Sequence, residues 1–255
     1  MKEKNGFSLV EMSVVIVIIG LLAAAVTAGK GLLRSMRIKS MAALAEEYKG
    51  ALVQFSSIYQ GLPGDLVNAT QFFDAASLPT SSEGACDNGA LSSLNGNGDG
   101  KIAAGAESTL ANLHLSLAEL TKKTYCGVWS GNFDVGVNAI ESKVAKGAAM
   151  RVVCCADDDY PRSLPMRNHF EFFALSPLAA GERDGVLSPK EARDFDQKLD
   201  DGNPDAGFIA AGGKFDGGGY ASAGCYQNAA DSALYDVSSA TSDDPSSCRM
   251  MFGYD

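Results

Sequence analysis

Residues 7–28 read FSLVEMSVVIVIIGLLAAAVTA, an apolar stretch that a single ionisable side chain, Glu11, interrupts. About 20 apolar residues in an α-helix are long enough to cross the hydrocarbon core of a bilayer. A carboxylate inside such a span costs about 3 kcal/mol on insertion scales, so Glu11 is a candidate functional residue. The stretch therefore predicts a membrane-spanning helix with a polar group near its start.

The two simplest interpretations of this stretch are a cleavable secretory signal and a plain membrane anchor. Residues 1–6 form a very short positively charged segment, and the apolar run after them is longer than the core of a typical signal peptide. A plain anchor gives no reason for Glu11. Neither interpretation accounts for the whole pattern.

Residues 6–11, GFSLVE, followed by an apolar helix, resemble the N-terminal signature of type IV pilins and type II secretion pseudopilins. In that family a prepilin peptidase cuts after the glycine on the cytoplasmic side of the membrane, and the new N-terminal residue is methylated. The resemblance implies cleavage after Gly6, methylation of Phe7 and a role for Glu11 in assembly between subunits.

The resemblance and the apolar pattern together divide the chain into three parts. Residues 1–6 are expected to be a leader peptide, and residues 7–59 a long N-terminal helix whose transmembrane and assembly part is 7–28. Residues 60–255 are expected to form an extracytoplasmic globular head. The helix is predicted to continue beyond the span because large apolar residues recur at intervals of three and four. These residues are Met41, Leu44, Tyr48, Leu52, Phe55 and Tyr59.

The expected fold is α+β and pilin-like, with the long helix packed on an antiparallel β-sheet head that carries additional helices. Leucines within residues 110–120 predict a second amphipathic helix, and residues 148–155 and 169–175 predict antiparallel strands. Residues 188–191, SPKE, predict another helix start, because the serine can cap it and the glutamate can close a capping box. The tail beyond Gly212 is rich in small and polar residues and is predicted to be loop-rich.

The charge and the motif content exclude two broad functions. A net charge of −10 over 255 residues argues against nucleic-acid binding, which needs a basic surface. The chain has two histidines and none of the common hydrolase, metalloprotease or phosphate-loop motifs, so no enzymatic activity is expected.

Six cysteines in a chain whose head is expected outside the cytoplasm predict disulfides. Cys225 and Cys248 bracket a Gly- and Ser-rich tail with little core of its own, so we expect them to be bridged. Cys86 and Cys126 form a further candidate pair. Six cysteines allow many pairings, and the full connectivity stays open.

Residues 95–102, NGNGDGKI, mimic the beginning of a calcium-binding EF-hand loop. Asn95, Asn97, Asp99 and Glu107 are the candidate ligands of a weak Ca²⁺ site. The first ligand is Asn rather than Asp, and the glutamate comes one residue later than the motif requires. A turn of Asn, Asp and Gly residues is the competing interpretation. Ca²⁺ is the one cofactor that the sequence suggests.

Three scattered segments of the head also resemble a prepilin-type subfamily: residues 61–65, residues 95–115 and residues 196–207. The last segment contains Asp200 and Asp201, whose carboxylates could bind a cation. An acidic helix end that is followed by glycine is more commonly a solvated turn.

The expected function is structural, as a minor subunit of a type IV pilus or a type II secretion pseudopilus. The resemblance implies a single-pass protein of the bacterial inner membrane, with its head in the periplasm, that later enters the filament. Its partners would be other pilin-like subunits through the N-terminal helix, the prepilin peptidase and the inner-membrane assembly platform. The alternative is a membrane-anchored periplasmic binding protein that does not polymerise. One version of this alternative is a calcium-dependent binding protein.

Overall fold

The chain forms two compact units, residues 1–39 and residues 40–255. Helix α1, Leu9–Tyr59, contributes residues to both. The computed structural model describes residues 8–74, 93–129, 131–145, 147–154, 168–175, 183–213, 224–228, 233–238, 244 and 247–253.

In the first unit the N-terminal part of α1, up to Ala28, is mostly apolar and exposed. Leu9, Ile16 and Leu21 expose 88%, 69% and 67% of their surface. By length and composition the helix is able to cross a membrane, and none of its most apolar window is buried within the protein. So large an apolar surface is unfavourable in water and calls for lipid or other apolar chains around it.

In the second unit α1 buries one stripe of side chains. The buried residues of this stripe are Met41, Ala45, Tyr48, Leu52 and Phe55. Their spacing of three and four places them on one face of the helix, as predicted. Leu44 and Tyr59, which the sequence also assigned to this face, are only half-buried, and Ala45 takes the buried position beside Leu44.

The head contains an antiparallel sheet in the strand order β1-β2-β3-β8-β5, with β4 paired to β3 and a separate β6-β7 hairpin. The strands are β1 Ile140–Glu141, β2 Ala148–Cys154, β3 Asn168–Leu175, β4 Arg183–Asp184, β5 Ile209–Gly212, β6 Tyr226–Asn228, β7 Ala233–Tyr235 and β8 Arg249–Gly253. Together with α1, α2 (Ala106–Leu117) and α3 (Pro189–Leu199), they confirm the expected α+β, pilin-like architecture.

The tail beyond Gly212, which was predicted to be loop-rich, also contains the short strands β6, β7 and β8, and the prediction did not include them. Strand β8 lies inside the sheet, where it pairs with both β3 and β5. Met250 and Met251 are fully buried, and Phe252 is nearly so. The apolar run of β8 is short and lies in a tail of small and polar residues, so little in the sequence indicates a strand there. Its burial depends on partners far away in the sequence.

One face of the sheet carries a buried ionic group. Arg151 on β2 lies directly opposite Glu171 on β3, and the Glu171 carboxylate accepts hydrogen bonds from Arg151 and Arg249. All three side chains are at most 1% exposed. A slip of one residue would move these charges to the other face and separate them, so the group opposes wrong strand registers.

Helix α3 begins as the sequence predicted. The Ser188 hydroxyl accepts the Glu191 N–H at 3.3 Å, and the Glu191 carboxylate accepts the Ser188 N–H at 3.1 Å. These two bonds form a capping box. The helix packs on the head through the buried residues Ala192 and Phe195.

Candidate functional site

The start of α1 contains Glu11, the ionisable residue that the sequence analysis identified in the apolar span. Glu11 lies in the first turn, and its carboxylate accepts the Ser8 N–H at 2.8 Å. The Ser8 hydroxyl accepts the Val10 N–H at 3.3 Å. Both side chains are exposed. Gly6 and Phe7, the predicted cleavage and methylation positions, lie outside the described residues.

A second candidate site lies in the head, where a buried carboxylate organises the loop that resembles an EF-hand. Asp65 is 5% exposed and belongs to the turn after α1. Its Oδ1 accepts the N–H groups of Gly98 and Asp99 at 2.6 and 3.1 Å, and its Oδ2 accepts the Gly100 N–H at 2.9 Å. The loop is therefore folded around a side chain that lies some 30 residues earlier in the sequence.

The predicted calcium ligands each use an oxygen to accept a backbone N–H. Asn95 accepts from Thr70, Asn97 from Asp99, Asp99 from Lys101 and Glu107 from Ala103, at 3.0, 2.8, 2.9 and 2.8 Å. These bonds describe a well-formed turn. A carboxylate oxygen retains further lone pairs, so the Ca²⁺ site stays a prediction.

The carboxylates around this loop crowd one another. Burial raises the pKa of Glu107, and the nearby charges of Asp65 and Asp99 raise it further. Hydrogen bonds from the N–H groups of Ala103 and Asn97 oppose this shift. Three acidic side chains, Asp65, Asp99 and Glu107, therefore lie near one another at this loop.

His114 on α2 connects the loop to the turn after α1. Its Nδ1 accepts the Gly64 N–H at 2.9 Å, which leaves the proton on Nε2, and Nε2 donates to the Leu94 carbonyl at 2.8 Å. The ring is fully buried between Phe55 and Phe73, with centroids 6.0 and 5.7 Å away. Burial lowers the pKa of His114 to about 4. The imidazole is therefore neutral and acts as a structural connector.

Two glycines allow the backbones to meet here. Gly64 has a φ of +86°, and a Cβ at this position would lie 2.3 Å from the Glu107 carbonyl. A Cβ on Gly96 would lie 2.3 Å from the Gly64 carbonyl. We call the assembly of residues 61–65, residues 94–102 and His114 the junction. Two of the three segments that resemble the prepilin-type subfamily, residues 61–65 and residues 95–115, therefore meet in one contact region.

The third segment covers an edge of the sheet. Strand β5 lies at the end of the strand order, and Asp200 accepts the N–H groups of Phe208 and Ile209 next to it. The carbonyl of Pro204 accepts the Ala211 N–H at 3.0 Å. These bonds occupy edge groups that would otherwise be open to another chain.

This segment also brings three carboxylates together. Asp196, Asp200 and Asp201 have oxygens within 4.8 Å of one another, the one such group among the described residues. Asp196 accepts the Tyr235 hydroxyl at 2.8 Å, and burial raises its pKa to about 6. The bonds to Phe208, Ile209 and Tyr235 give the group a structural role at the edge of the sheet.

The cysteines confirm one predicted bridge. Cys225 and Cys248 form a disulfide, which ties the β6-β7 hairpin to the residue before β8. Cys126 and Cys154 each take part in a disulfide as well. Cys86, the predicted partner of Cys126, lies outside the described residues, so that pairing stays a prediction.

Three residues with structural importance were not singled out for their roles from the sequence. Ser8 belongs to the pattern Ser-x-x-Glu, which was readable in advance. Asp65 and His114 have partners 20 to 50 residues away in the chain, and no local pattern indicates such bonds.

Residues 1–27 match the family model of the prokaryotic N-terminal methylation motif. This motif is the prepilin-type signature of type IV pilins and pseudopilins. The long apolar helix and the antiparallel sheet are consistent with a pilin-like fold, so motif and fold make the chain similar to type IV pilins and pseudopilins. The motif and the apolar helix also indicate anchoring in a membrane. Comparisons with curated proteins and with solved structures found no match.

Proposed function

We propose that this chain is a minor structural subunit of a type IV pilus or a type II secretion pseudopilus. The observation that carries the proposal is the methylation motif at residues 1–27, which continues into an exposed apolar helix. The motif belongs to structural proteins, and the proposed role requires no catalysis. A head of about 200 residues is larger than a simple fibre repeat needs. That size favours a minor subunit over the main building block.

In this proposal the chain is first stored in the bacterial inner membrane as a single-pass protein with its head in the periplasm. Prepilin peptidase cuts after Gly6 on the cytoplasmic side, and the new amine on Phe7 is methylated. The inner-membrane assembly platform then moves the subunit into the filament. Its acidic head suits an extracytoplasmic surface.

The proposed assembly contact pairs Glu11 with the Phe7 amine of a neighbouring subunit. Both groups are poorly solvated in lipid, so pairing stabilises them together. The apolar side chains of the span add packing but little register, because lipid is as apolar as they are. The ion pair therefore sets the axial position of one helix against the next.

The test of processing is N-terminal mass spectrometry of the chain co-expressed with a prepilin peptidase. A mature start at Phe7 with a methylated amine is expected. Gly6→Val should block cutting, because a β-branched residue does not fit a site built around glycine. Gly20→Val is the matched control in the same apolar segment, where a Cβ would meet nothing within 4 Å, and it should be cut normally. A start after Ala25, or an intact Met1, would overturn the proposal.

A weak Ca²⁺ site is proposed at Asn95, Asn97, Asp99 and Glu107. Asp65 and Asp99 lie close enough to Glu107 for their negative charge to act on it, and such a group of carboxylates favours a cation. An affinity near millimolar is common for extracellular sites with few carboxylates, on the order of 10⁻⁴–10⁻³ M.

The melting temperature in excess Ca²⁺ and in chelator tests this site. A rise with Ca²⁺ that disappears in Asp99→Asn and persists in Asp201→Asn is expected. An unchanged melting temperature would favour the simple turn. It would also remove the support for a calcium-dependent binding protein that does not polymerise.

A further inference from the structure

The first turn of α1 contains a hydrogen-bond pattern that the methylation motif by itself does not explain. Ser8 is the residue before the helix, which begins at Leu9. Its hydroxyl accepts the Val10 N–H at 3.3 Å, and its own N–H donates to the Glu11 carboxylate at 2.8 Å. Its carbonyl accepts the Met12 N–H at 3.2 Å. All three polar groups of Ser8 are therefore used to begin the helix.

The bond from the Ser8 N–H to the Glu11 carboxylate is one half of a capping box. The Ser8 hydroxyl caps the N–H of the second helical residue, Val10, where a full box caps that of the third. The first N–H groups of any helix lack partners within the helix. In an apolar stretch few other acceptors are close by, because leucine, valine and isoleucine offer none. Ser8 and Glu11 are the side chains of this turn that supply them.

The motif also has the apolar pattern that accompanies a capping box. An apolar residue before the capping residue commonly pairs with one at the fourth helical position, which is called a hydrophobic staple. In the sequence these positions are Phe7 and Met12. The pattern Phe-Ser-x-x-Glu-Met thus contains the elements of a complete helix start.

We propose that Ser8 and Glu11 form a helix-start device within the methylation motif. It fixes the first residue of α1 at Leu9 and holds the Glu11 carboxylate against the terminus of its own helix. The carboxylate is held by the Ser8 backbone N–H, and the Ser8 hydroxyl acts on it by fixing where the helix begins. Ser8 is then a positioning residue for assembly, since the helix start sets where the carboxylate lies when the amine of another subunit approaches. This second part rests on the proposed pilus or pseudopilus function, whereas the helix start does not.

The first experiment measures amide hydrogen exchange by NMR on the full chain in detergent micelles. Ser8→Ala should speed exchange of the Val10 N–H about fivefold, the effect typical of a lost cap. Glu11→Leu should instead speed exchange of the Ser8 N–H. Ser8→Thr and Glu11→Gln retain the acceptors and should behave like the wild type. Unchanged exchange at both amides in Ser8→Ala and Glu11→Leu would overturn the device.

The second experiment measures incorporation of tagged chain into sheared filaments against its level in the membrane. Ser8→Ala should lower incorporation about fivefold, and Ser8→Thr should restore it, because threonine also caps. Normal incorporation of Ser8→Ala would overturn the positioning role. If the wild-type chain is neither cut nor incorporated, the proposed function fails, while the exchange experiment still decides whether the device exists.

Discussion

Helices α1 and α3 begin with related local chemistry and lie in different surroundings. Ser8 with Glu11 and Ser188 with Glu191 both follow the pattern Ser-x-x-Glu, and the carboxylate accepts the serine N–H at 2.8 and 3.1 Å. Helix α3 then buries one face on the head. Helix α1 continues as an exposed apolar span.

The difference shows that the local Ser-x-x-Glu pattern decides where a helix begins, while the surroundings of the helix decide the role of the capping residues. In α3 the box lies in a packed head, where Ser188 is 4% exposed, and it contributes to folding stability. In α1 the corresponding carboxylate, that of Glu11, is exposed and has no tertiary partner among the described residues. Its exposure is what the proposed contact with a neighbouring subunit requires.

The largest expected effect separates the two glutamates. Glu11→Leu should leave membrane insertion and cleavage intact, because it makes the span more apolar, but should lower filament incorporation about tenfold or more. Glu11→Asp should be intermediate, since the charge stays and the reach shortens. Glu191→Leu should incorporate normally. The assay is co-purification with sheared filaments, and normal incorporation of Glu11→Leu would show that the carboxylate does not drive docking.

A second prediction asks whether the head depends more on distant contacts than on local caps. Gly64→Ala adds a Cβ 2.3 Å from the Glu107 carbonyl at a φ of +86°. It should lower the free energy of unfolding by about 3 kcal/mol, because strain and overlap add.

The matched control is Gly100→Ala. Gly100 has a φ of +81° and nothing within 4 Å of a Cβ, so only the strain of about 1 kcal/mol applies. Urea unfolding followed through the fluorescence of the single tryptophan, Trp129, measures both. Equal losses in the two variants would mean that the junction tolerates the overlap.

A third prediction concerns acid. The pKa of His114 is lowered to about 4 from its ordinary value near 6.5, so the unfolded chain takes up this proton first as the pH falls. The stabilisation is complete above about pH 6.5 and is lost progressively toward pH 4, a change of about 3 kcal/mol. His114→Gln should remove this pH dependence.

Other titrating groups also change the stability of the head with pH, so the acid experiment needs a control. Asp196 acts in the opposite sense, because its raised pKa makes the folded head bind a proton more readily than the unfolded chain. The quantity to measure is therefore the difference between wild type and His114→Gln in urea unfolding from pH 7 to pH 4.5. His169→Gln tests the other histidine. Equal pH profiles for wild type and His114→Gln would refute the assignment.

The smallest expected effect comes from removing the serine caps of α1 and α3, Ser8 and Ser188. Ser188→Ala should lower the free energy of unfolding of the head by about 1 kcal/mol, and Ser188→Thr should recover most of it. Ser8→Ala should not change the unfolding of the head, because Ser8 lies in the other unit. A loss of head stability in Ser8→Ala would break the distinction between the two helix starts.

The sequence determined the features whose hydrogen bonds or apolar pattern span only a few residues. The methylation motif, the apolar span, the buried stripe of α1 and the capping box of α3 are of this kind, because partners three or four residues apart are visible in one stretch of chain. The Cys225–Cys248 bridge was inferred from a tail with little core of its own, and it is present.

The tertiary structure decided what depends on partners far apart in the chain. The carboxylate of Asp65 folds a loop that lies more than 30 residues later, and His114 joins Gly64 to Leu94. Strand β8 is buried only because β3 and β5 lie on either side of it. Such contacts follow from the packing of the whole head, since the free energy of burying a group depends on what surrounds it rather than on its neighbours in sequence.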